Sequence, residues 1–141
     1  MKRLLVAAAV LVRDGKVLLS RRLSGAHLAG LWEFPGGKVE EGEGPREALM
    51  RELREELGVI AHVGDCLDVV HHVYAEAQRE VVLLFFTCEL APDSPEPREL
   101  EVAELAWVGP DELPRYEFPP ADLPLLTRVR ELLYAAQATF H

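Results

Sequence analysis

The sequence is poor in cysteine and has a deficit of positive charge. Fifteen lysines and arginines stand against 24 aspartates and glutamates, so the formal net charge at pH 7 is −9. Binding to DNA or RNA needs a basic surface, and the deficit therefore argues against a nucleic acid polymer as partner. The two cysteines, Cys66 and Cys88, form no CxxC or Cys/His spacing. This argues against a disulfide framework, a zinc site and a catalytic cysteine.

Long hydrophobic runs are also missing. No run reaches the roughly 18 apolar residues of a membrane-spanning helix, so we expect no membrane segment. The apolar run 4–12 follows two basic residues, as in a secretory signal, but it stops at Asp14-Gly15, a pair typical of a tight hairpin turn. We therefore interpret it as a strand and expect a cytoplasmic protein. The length and the absence of a repeat or linker predict a single domain over residues 1–141.

Carboxylates cluster on one predicted helix. Glu52, Glu55 and Glu56 are spaced three and four residues apart, so their side chains project from the same face. Like charges at this spacing repel unless a cation lies between them. Ligands that are all oxygen suit Mg²⁺, with Mn²⁺ as a substitute. A charged surface helix is the alternative, and the helix alone leaves both interpretations open.

The ends of this helix are marked by Gly44-Pro45 and by Gly58, since proline suits a first turn and glycine a C-terminal cap. An apolar stripe on the opposite face would seat the helix on a sheet; it consists of Ala48, Leu49, Leu53, Leu57 and Val59. Strands are predicted at 4–12, 17–19, 32–34, 59–63, 67–74, 81–86 and 105–108, and a closing helix at about 122–138.

The segment before the helix extends the pattern. Gly37, five residues, Glu43, seven residues and then Arg51-Glu52-Leu53-x-Glu55-Glu56-x-Gly58-Val59 resemble the Nudix box at every defined position. The resemblance implies an α/β fold, the α/β/α sandwich with a mixed central sheet. It also implies Mg²⁺-dependent hydrolysis of a nucleoside diphosphate linked to another moiety.

Further motifs narrow the resemblance to the MutT branch. They are Ser20-Arg21-Arg22, Ala26-His27, the run 31–38 containing Phe34-Pro35-Gly36-Gly37, and Phe118-Pro119-Pro120-Ala121-Asp122. They are also similar to the branch that cleaves CTP and 5-methyl-dCTP. The implied reaction converts a nucleoside triphosphate to the monophosphate and pyrophosphate, with 8-oxo-dGTP or CTP, dCTP and 5-methyl-dCTP as candidate substrates. The partner would be this small molecule, and the protein a monomer or homodimer.

The resemblance also assigns site residues. The implied metal ligands are Gly37, Glu52, Glu55 and Glu56. Arg51 would orient a glutamate, and Glu43 would brace the loop or hold metal through water. The general base would be a box glutamate, Glu52 or Glu55, or else Glu101, although Glu99 and Glu104 lie close enough to Glu101 to leave this choice open. Implied substrate contacts come from Arg22, His27, Phe34, Arg79 and Asp122.

Asp122 bears on base preference. The MutT pattern has an asparagine at this position, and an ionised carboxylate accepts hydrogen bonds but cannot donate them. Asp122 would therefore favour bases that present N–H groups, such as the amine of cytosine or the N1–H and N2–H₂ edge of guanine. The alternative, that Asp122 only caps the last helix, stays open beside it.

The sequence leaves two other functions open. The first is a Nudix enzyme for ADP-ribose or a diadenosine polyphosphate. It has little support, because the chain has no proline between Ile60 and Ala91. The second is a binding module with the Nudix fold, which usually lacks box carboxylates that this chain retains.

Overall fold

The computed structural model describes residues 1–138, which form a sheet flanked by two α-helices. The strands are β1 Lys2–Arg13, β2 Lys16–Arg21, β3 Trp32–Glu33, β4 Gly36–Lys38, β5 Ala61–Tyr74, β6 Arg79–Leu90 and β7 Glu104–Val108. The α-helices are α1 Pro45–Leu57 and α2 Leu126–Ala138, and short 3₁₀ helices span Ala75–Ala77, Leu113–Arg115 and Pro120–Leu125.

The sheet is mixed, as the sequence predicts. Its order is β3-β2-β1-β6-β5, with β4 added beside β1 and β7 beside β2. β1 runs parallel to β6, and the other pairs are antiparallel. Because β1 is long, it pairs with β4 at Val6–Ala8 and with β2 near the Asp14-Gly15 turn, so the glycine-rich β4 lies next to the centre of the sheet.

Two apolar cores lie on opposite faces of the sheet. Alternate residues of β1 divide between them, with Ala7, Ala9 and Leu11 on one side and Ala8 and Val10 on the other. The first core contains Leu49, Leu53 and Leu57 of α1, and the second contains Val129 and Leu133 of α2. This arrangement confirms the α/β/α sandwich and fixes α1 beside β1 and β4.

Both predicted ends of α1 are confirmed. Pro45 is its first residue, and Gly58 follows it with φ of 70° while its N–H bonds to the carbonyl of Arg54. Two other predictions are wrong in detail. The stretches 59–63 and 67–74 fall largely in one strand, β5, which begins at Ala61 and has register shifts between Val63 and Asp68. The last α-helix begins at Leu126, because Pro124 lies in a preceding 3₁₀ segment where its missing N–H is tolerated.

Within residues 1–138, the helices are all too short or too polar to cross a membrane.

Candidate active site

Arg51 is the centre of an ion-pair network that joins helix α1 to β4 and to the loop after it. Its guanidinium donates to Glu43 at 2.7 Å, to Glu52 at 2.9 Å and to Glu55 at 3.2 Å. It also donates to the carbonyl of Lys38 at 3.1 Å. These contacts tie α1 to the loop that follows β4. The sequence resemblance implies that Arg51 orients a glutamate and that Glu43 braces this loop or holds metal through water.

Gly37 touches the carboxylate of Glu52. A Cβ atom built at Gly37 would lie 2.4 Å from Cδ and 2.5 Å from an oxygen of that side chain. The backbone of β4 and the carboxylate therefore approach as closely as only glycine allows. Gly36 is constrained differently, since its Cβ would lie 2.0 Å from the carbonyl oxygen of Ala7 in β1.

Glu56 lies in an acidic cluster formed by Glu33, Glu52, Glu56 and Glu101. Burial, side-chain contact with Glu52, and the charges of Glu33 and Glu101 raise the pKa of Glu56 to about 9. Such a group of carboxylates needs a shared proton or a cation. Glu55 instead turns toward Arg51 and is half exposed. In residues 1–138, no three carboxylate, imidazole or thiol groups are already arranged around a metal position.

The backbone at 98–101 brings Glu101 to this cluster. The last carbonyls of a helix lack partners inside it, and here they accept from the following loop. The carbonyl of Glu56 accepts the N–H groups of Leu100 and Glu101 at 3.1 and 3.2 Å, and that of Leu57 accepts from Arg98 at 2.9 Å. The side chain of Glu101 is exposed at the rim of the cluster.

Arg22 is held by protein groups. One guanidinium nitrogen donates to both oxygens of Glu33 at 2.8 and 2.9 Å, and its Nε donates to the carbonyl of His27 at 2.6 Å. Burial raises the pKa of Glu33 while Arg22 opposes that change. No role for Glu33 was predicted from the sequence, although Glu33 directly precedes Phe34 in the run 31–38. Glu33 joins Arg22 to the acidic cluster.

His27 offers an unsatisfied polar atom. Its Nε2 is buried without a hydrogen-bond partner among the described residues, and its ring meets that of Tyr74 edge-on at 5.4 Å. Burial and the charges of Arg79 and Arg22 lower its pKa, which favours the neutral ring. A buried nitrogen without a partner costs about 1 to 3 kcal/mol, and a ligand that supplied one would recover this.

Asp122 is buried, with 4% of its surface exposed. Burial and the charge of Glu33 raise its pKa well above the usual range, against the effect of Arg22. The possibility that Asp122 caps α2 is wrong, since it lies in the 3₁₀ helix and gives no capping bond. Its neighbours Ala121 and Leu125 belong to the core on the α2 side of the sheet.

Phe34 has its side chain in the core. The ring is 2% exposed and packs against Phe85 at 5.8 Å and Phe118 at 5.5 Å between ring centres. The ring supports the strand beneath the site, and the substrate contact expected at Phe34 stays a prediction. Its neighbours Glu33 and Gly36 are the members of this segment that reach the site and β1.

Comparison with known proteins gives consistent matches. Residues 2–129 match the family model of the NUDIX domain. The CTP pyrophosphohydrolase of Escherichia coli (strain K12) is 43% identical over 141 residues, covering 98% of this chain and 99% of that protein. The 8-oxo-dGTP diphosphatase of the same strain is 31% identical over 133 residues, covering 94% and 100%. The crystal structure of a MutT NUDIX hydrolase from Burkholderia pseudomallei has a TM-score of 0.80 at 32% identity, covering 90% and 98%.

Proposed function

The chain belongs to the Nudix family and is a Nudix hydrolase of the MutT-like branch, and from this premise we propose that it is a Mg²⁺-dependent nucleoside triphosphate pyrophosphohydrolase. It would convert a triphosphate and water to the monophosphate and pyrophosphate. The observation that carries the proposal is the half-buried acidic cluster that Glu52 and Glu56 of α1 form with Glu33 and Glu101, beside the glycines of β4. Asp122 and His27, the groups proposed to meet the base, are called the base pocket.

The residues present fit a divalent metal. Glu52 and Glu56 are adjacent like charges whose repulsion a cation would relieve, and all their donor atoms are oxygens. Gly37 lies against Glu52 with no side chain to block its carbonyl. We assign Gly37, Glu52 and Glu56 as ligands of Mg²⁺, or Mn²⁺, with Glu55 joining after it leaves Arg51. A bound cation would offset negative charge on the phosphate oxygens.

The remaining groups hold the water and the nucleotide. Arg51 orients Glu52 through its 2.9 Å bond. Glu101, at the rim of the cluster, is positioned to accept the proton of an attacking water, and Glu55 or Glu52 is the alternative base. Arg22 would retain its bond to Glu33 or exchange it for a phosphate oxygen, since a guanidinium suits both partners.

The base pocket supports a preference for bases with N–H groups. His27 presents a buried Nε2 without a partner in the described residues, and Asp122 presents a buried carboxyl. An oxygen of the Asp122 carboxyl would accept from the amine of cytosine or from the N–H groups of guanine, including those of 8-oxo-dGTP, whether the acid is neutral or ionised. The resemblance to a CTP pyrophosphohydrolase over almost the whole chain adds support for cytosine nucleotides.

The test is a nucleotide panel assayed for pyrophosphate and orthophosphate with Mg²⁺, containing 8-oxo-dGTP, CTP, dCTP, 5-methyl-dCTP and ADP-ribose. Glu56→Gln should lower turnover by about a hundredfold or more, because it removes a charged ligand without changing side-chain size. The matched control is Glu47→Gln, an exposed position on the same helix, which should keep normal turnover.

Three outcomes would contradict the proposal. Orthophosphate as the sole inorganic product would remove the pyrophosphohydrolase assignment. Cleavage of ADP-ribose alone would favour a different Nudix specificity. Binding of nucleotides that is unaffected by Glu56→Gln, without any turnover, would favour a binding module.

A further inference from the structure

Tyr74 connects two segments that line the base side of the site, and none of the roles above includes it. It is the last residue of β5 and pairs with Arg79 of β6. Its ring contacts His27 edge-on at 5.4 Å and lies 4.6 Å from the ring of His72. Its hydroxyl reaches the 3₁₀ segment Pro120–Leu125, where it accepts a hydrogen bond from the N–H of Ala121 at 3.0 Å.

That hydrogen bond caps the segment carrying Asp122. The first N–H groups of a helix have no partner inside it. Pro119 and Pro120 have no N–H, and the N–H of Asp122 bonds to the carbonyl of Pro119 at 3.0 Å. Ala121 therefore carries the first N–H that needs an outside acceptor. The acceptor is a side chain 47 residues away, since the segment has no side-chain cap of its own.

We propose that Tyr74 is a positioning residue that sets base selectivity by fixing the backbone on which Asp122 is carried. Asp122 is 4% exposed, so the location of its carboxyl depends on that backbone and on packing. Tyr74 also packs against His27, and one side chain thus relates both polar groups of the pocket. The inference rests on the proposed function, because it requires Asp122 to meet the base.

Tyr74→Phe keeps the ring and removes the acceptor. Loss of one neutral hydrogen bond corresponds to about a fivefold effect. We expect KM for the better of CTP and 8-oxo-dGTP to rise about fivefold, and the preference for it over UTP to fall by a similar factor, while kcat stays within about twofold. We expect KM to change and kcat to stay nearly constant because Tyr74 makes no hydrogen bond to the acidic cluster in the described residues.

The matched control is Tyr134→Phe, which also removes one hydroxyl, in this case one that donates to Asp111. It should change neither KM nor selectivity. A double-mutant cycle tests the route of the effect. In an Asp122→Ala background, Tyr74→Phe should leave selectivity unchanged, because the group that it positions is absent.

Unchanged KM and selectivity in Tyr74→Phe would overturn the inference, and so would an undiminished effect in the Asp122→Ala background. If Tyr74→Phe does not fold, Ala121→Pro removes the donor instead and carries the same expectation, since proline suits a first turn. Failure of the unmodified protein to release pyrophosphate from any nucleotide would contradict the proposed function. Normal hydrolysis with unchanged selectivity in Tyr74→Phe would contradict only the inference about Tyr74.

Discussion

The carboxyl of Asp122 is buried beside Glu33, and its ionisation therefore costs folding free energy. Its folded-state pKa lies above the unfolded-state value of about 4. The stability contributed by the neutral acid is fully present below the unfolded-state pKa, and it is lost as the pH rises through the folded-state pKa. Asparagine has nearly the same shape and does not titrate. Asp122→Asn should therefore unfold with a free energy that depends less on pH.

We expect the stability advantage of Asp122→Asn over the parent to grow as the pH rises above the unfolded-state pKa of about 4, reaching about 1 to 3 kcal/mol. Urea unfolding of both proteins across a range of pH values above this pKa, without metal or nucleotide, measures it. Asp93→Asn is the control, because Asp93 lies exposed in a loop. A constant difference between Asp122→Asn and the parent across the range would show that Asp122 does not titrate in the folded protein as its burial indicates.

Side-chain roles were predictable where partners lie within one motif. Arg51 bonds Glu43 and Glu55, eight and four residues away, and the box pattern already relates these positions. Glu33 and Tyr74 were missed for a physical reason. The charge of Glu33 in β3 acts on Glu56 in α1 although they are 23 residues apart in the chain, and Tyr74 meets Ala121 across 47 residues. Neither contact leaves a periodicity or a spacing in the sequence.

Strand β4 carries two adjacent glycines whose roles the structure separates. A Cβ at Gly36 would strike the backbone of β1, which cannot move without breaking the sheet. A Cβ at Gly37 would strike the end of the Glu52 side chain, which can rotate away. We expect Gly36→Ala to lower the free energy of unfolding by at least about 2 kcal/mol. Gly37→Ala should fold well but lose about a hundredfold in turnover.

Chemical denaturation and pyrophosphate release, measured on both variants, check this prediction, and each variant serves as the control for the other. Equal losses of stability would contradict the different roles of the two glycines. Full activity of Gly37→Ala would show that Glu52 need not stay where the structure places it. Loss of activity without loss of stability in Gly36→Ala would contradict the structural role of Gly36.

Element ends were predictable to the extent that local chemistry sets them. Gly44-Pro45 and Gly58 mark both ends of α1, since a first-turn proline and a left-handed glycine act within one turn. The start of α2 was misplaced because Pro120 and Pro124 allow a 3₁₀ segment whose cap comes from β5. The single strand β5 was divided because its irregular register between Val63 and Asp68 interrupts the alternation.

The charge of the whole molecule makes its stability sensitive to divalent cations. The net charge is −9, and Glu33, Glu52, Glu56 and Glu101 concentrate negative charge at one half-buried position. A ligand that binds only the folded state at a hundred times its Kd stabilises by about 2.7 kcal/mol. For a chain of this size that corresponds to a rise in Tm of roughly 5 to 10 °C. We expect Mg²⁺ to produce this rise.

The order of thermal stability of the parent and Glu56→Gln should reverse when Mg²⁺ is added. Without metal the variant should melt at or above the parent, because the buried Glu56, with its raised pKa, must take up a proton on folding at neutral pH and glutamine need not. With saturating Mg²⁺ the parent should melt higher, because only it retains both Glu52 and Glu56 as charged ligands. Thermal melts with Mg²⁺, with EDTA, and with NaCl at equal ionic strength separate site binding from general screening. An equal rise in NaCl, or an equal rise in both proteins, would show that the acidic cluster does not hold the metal.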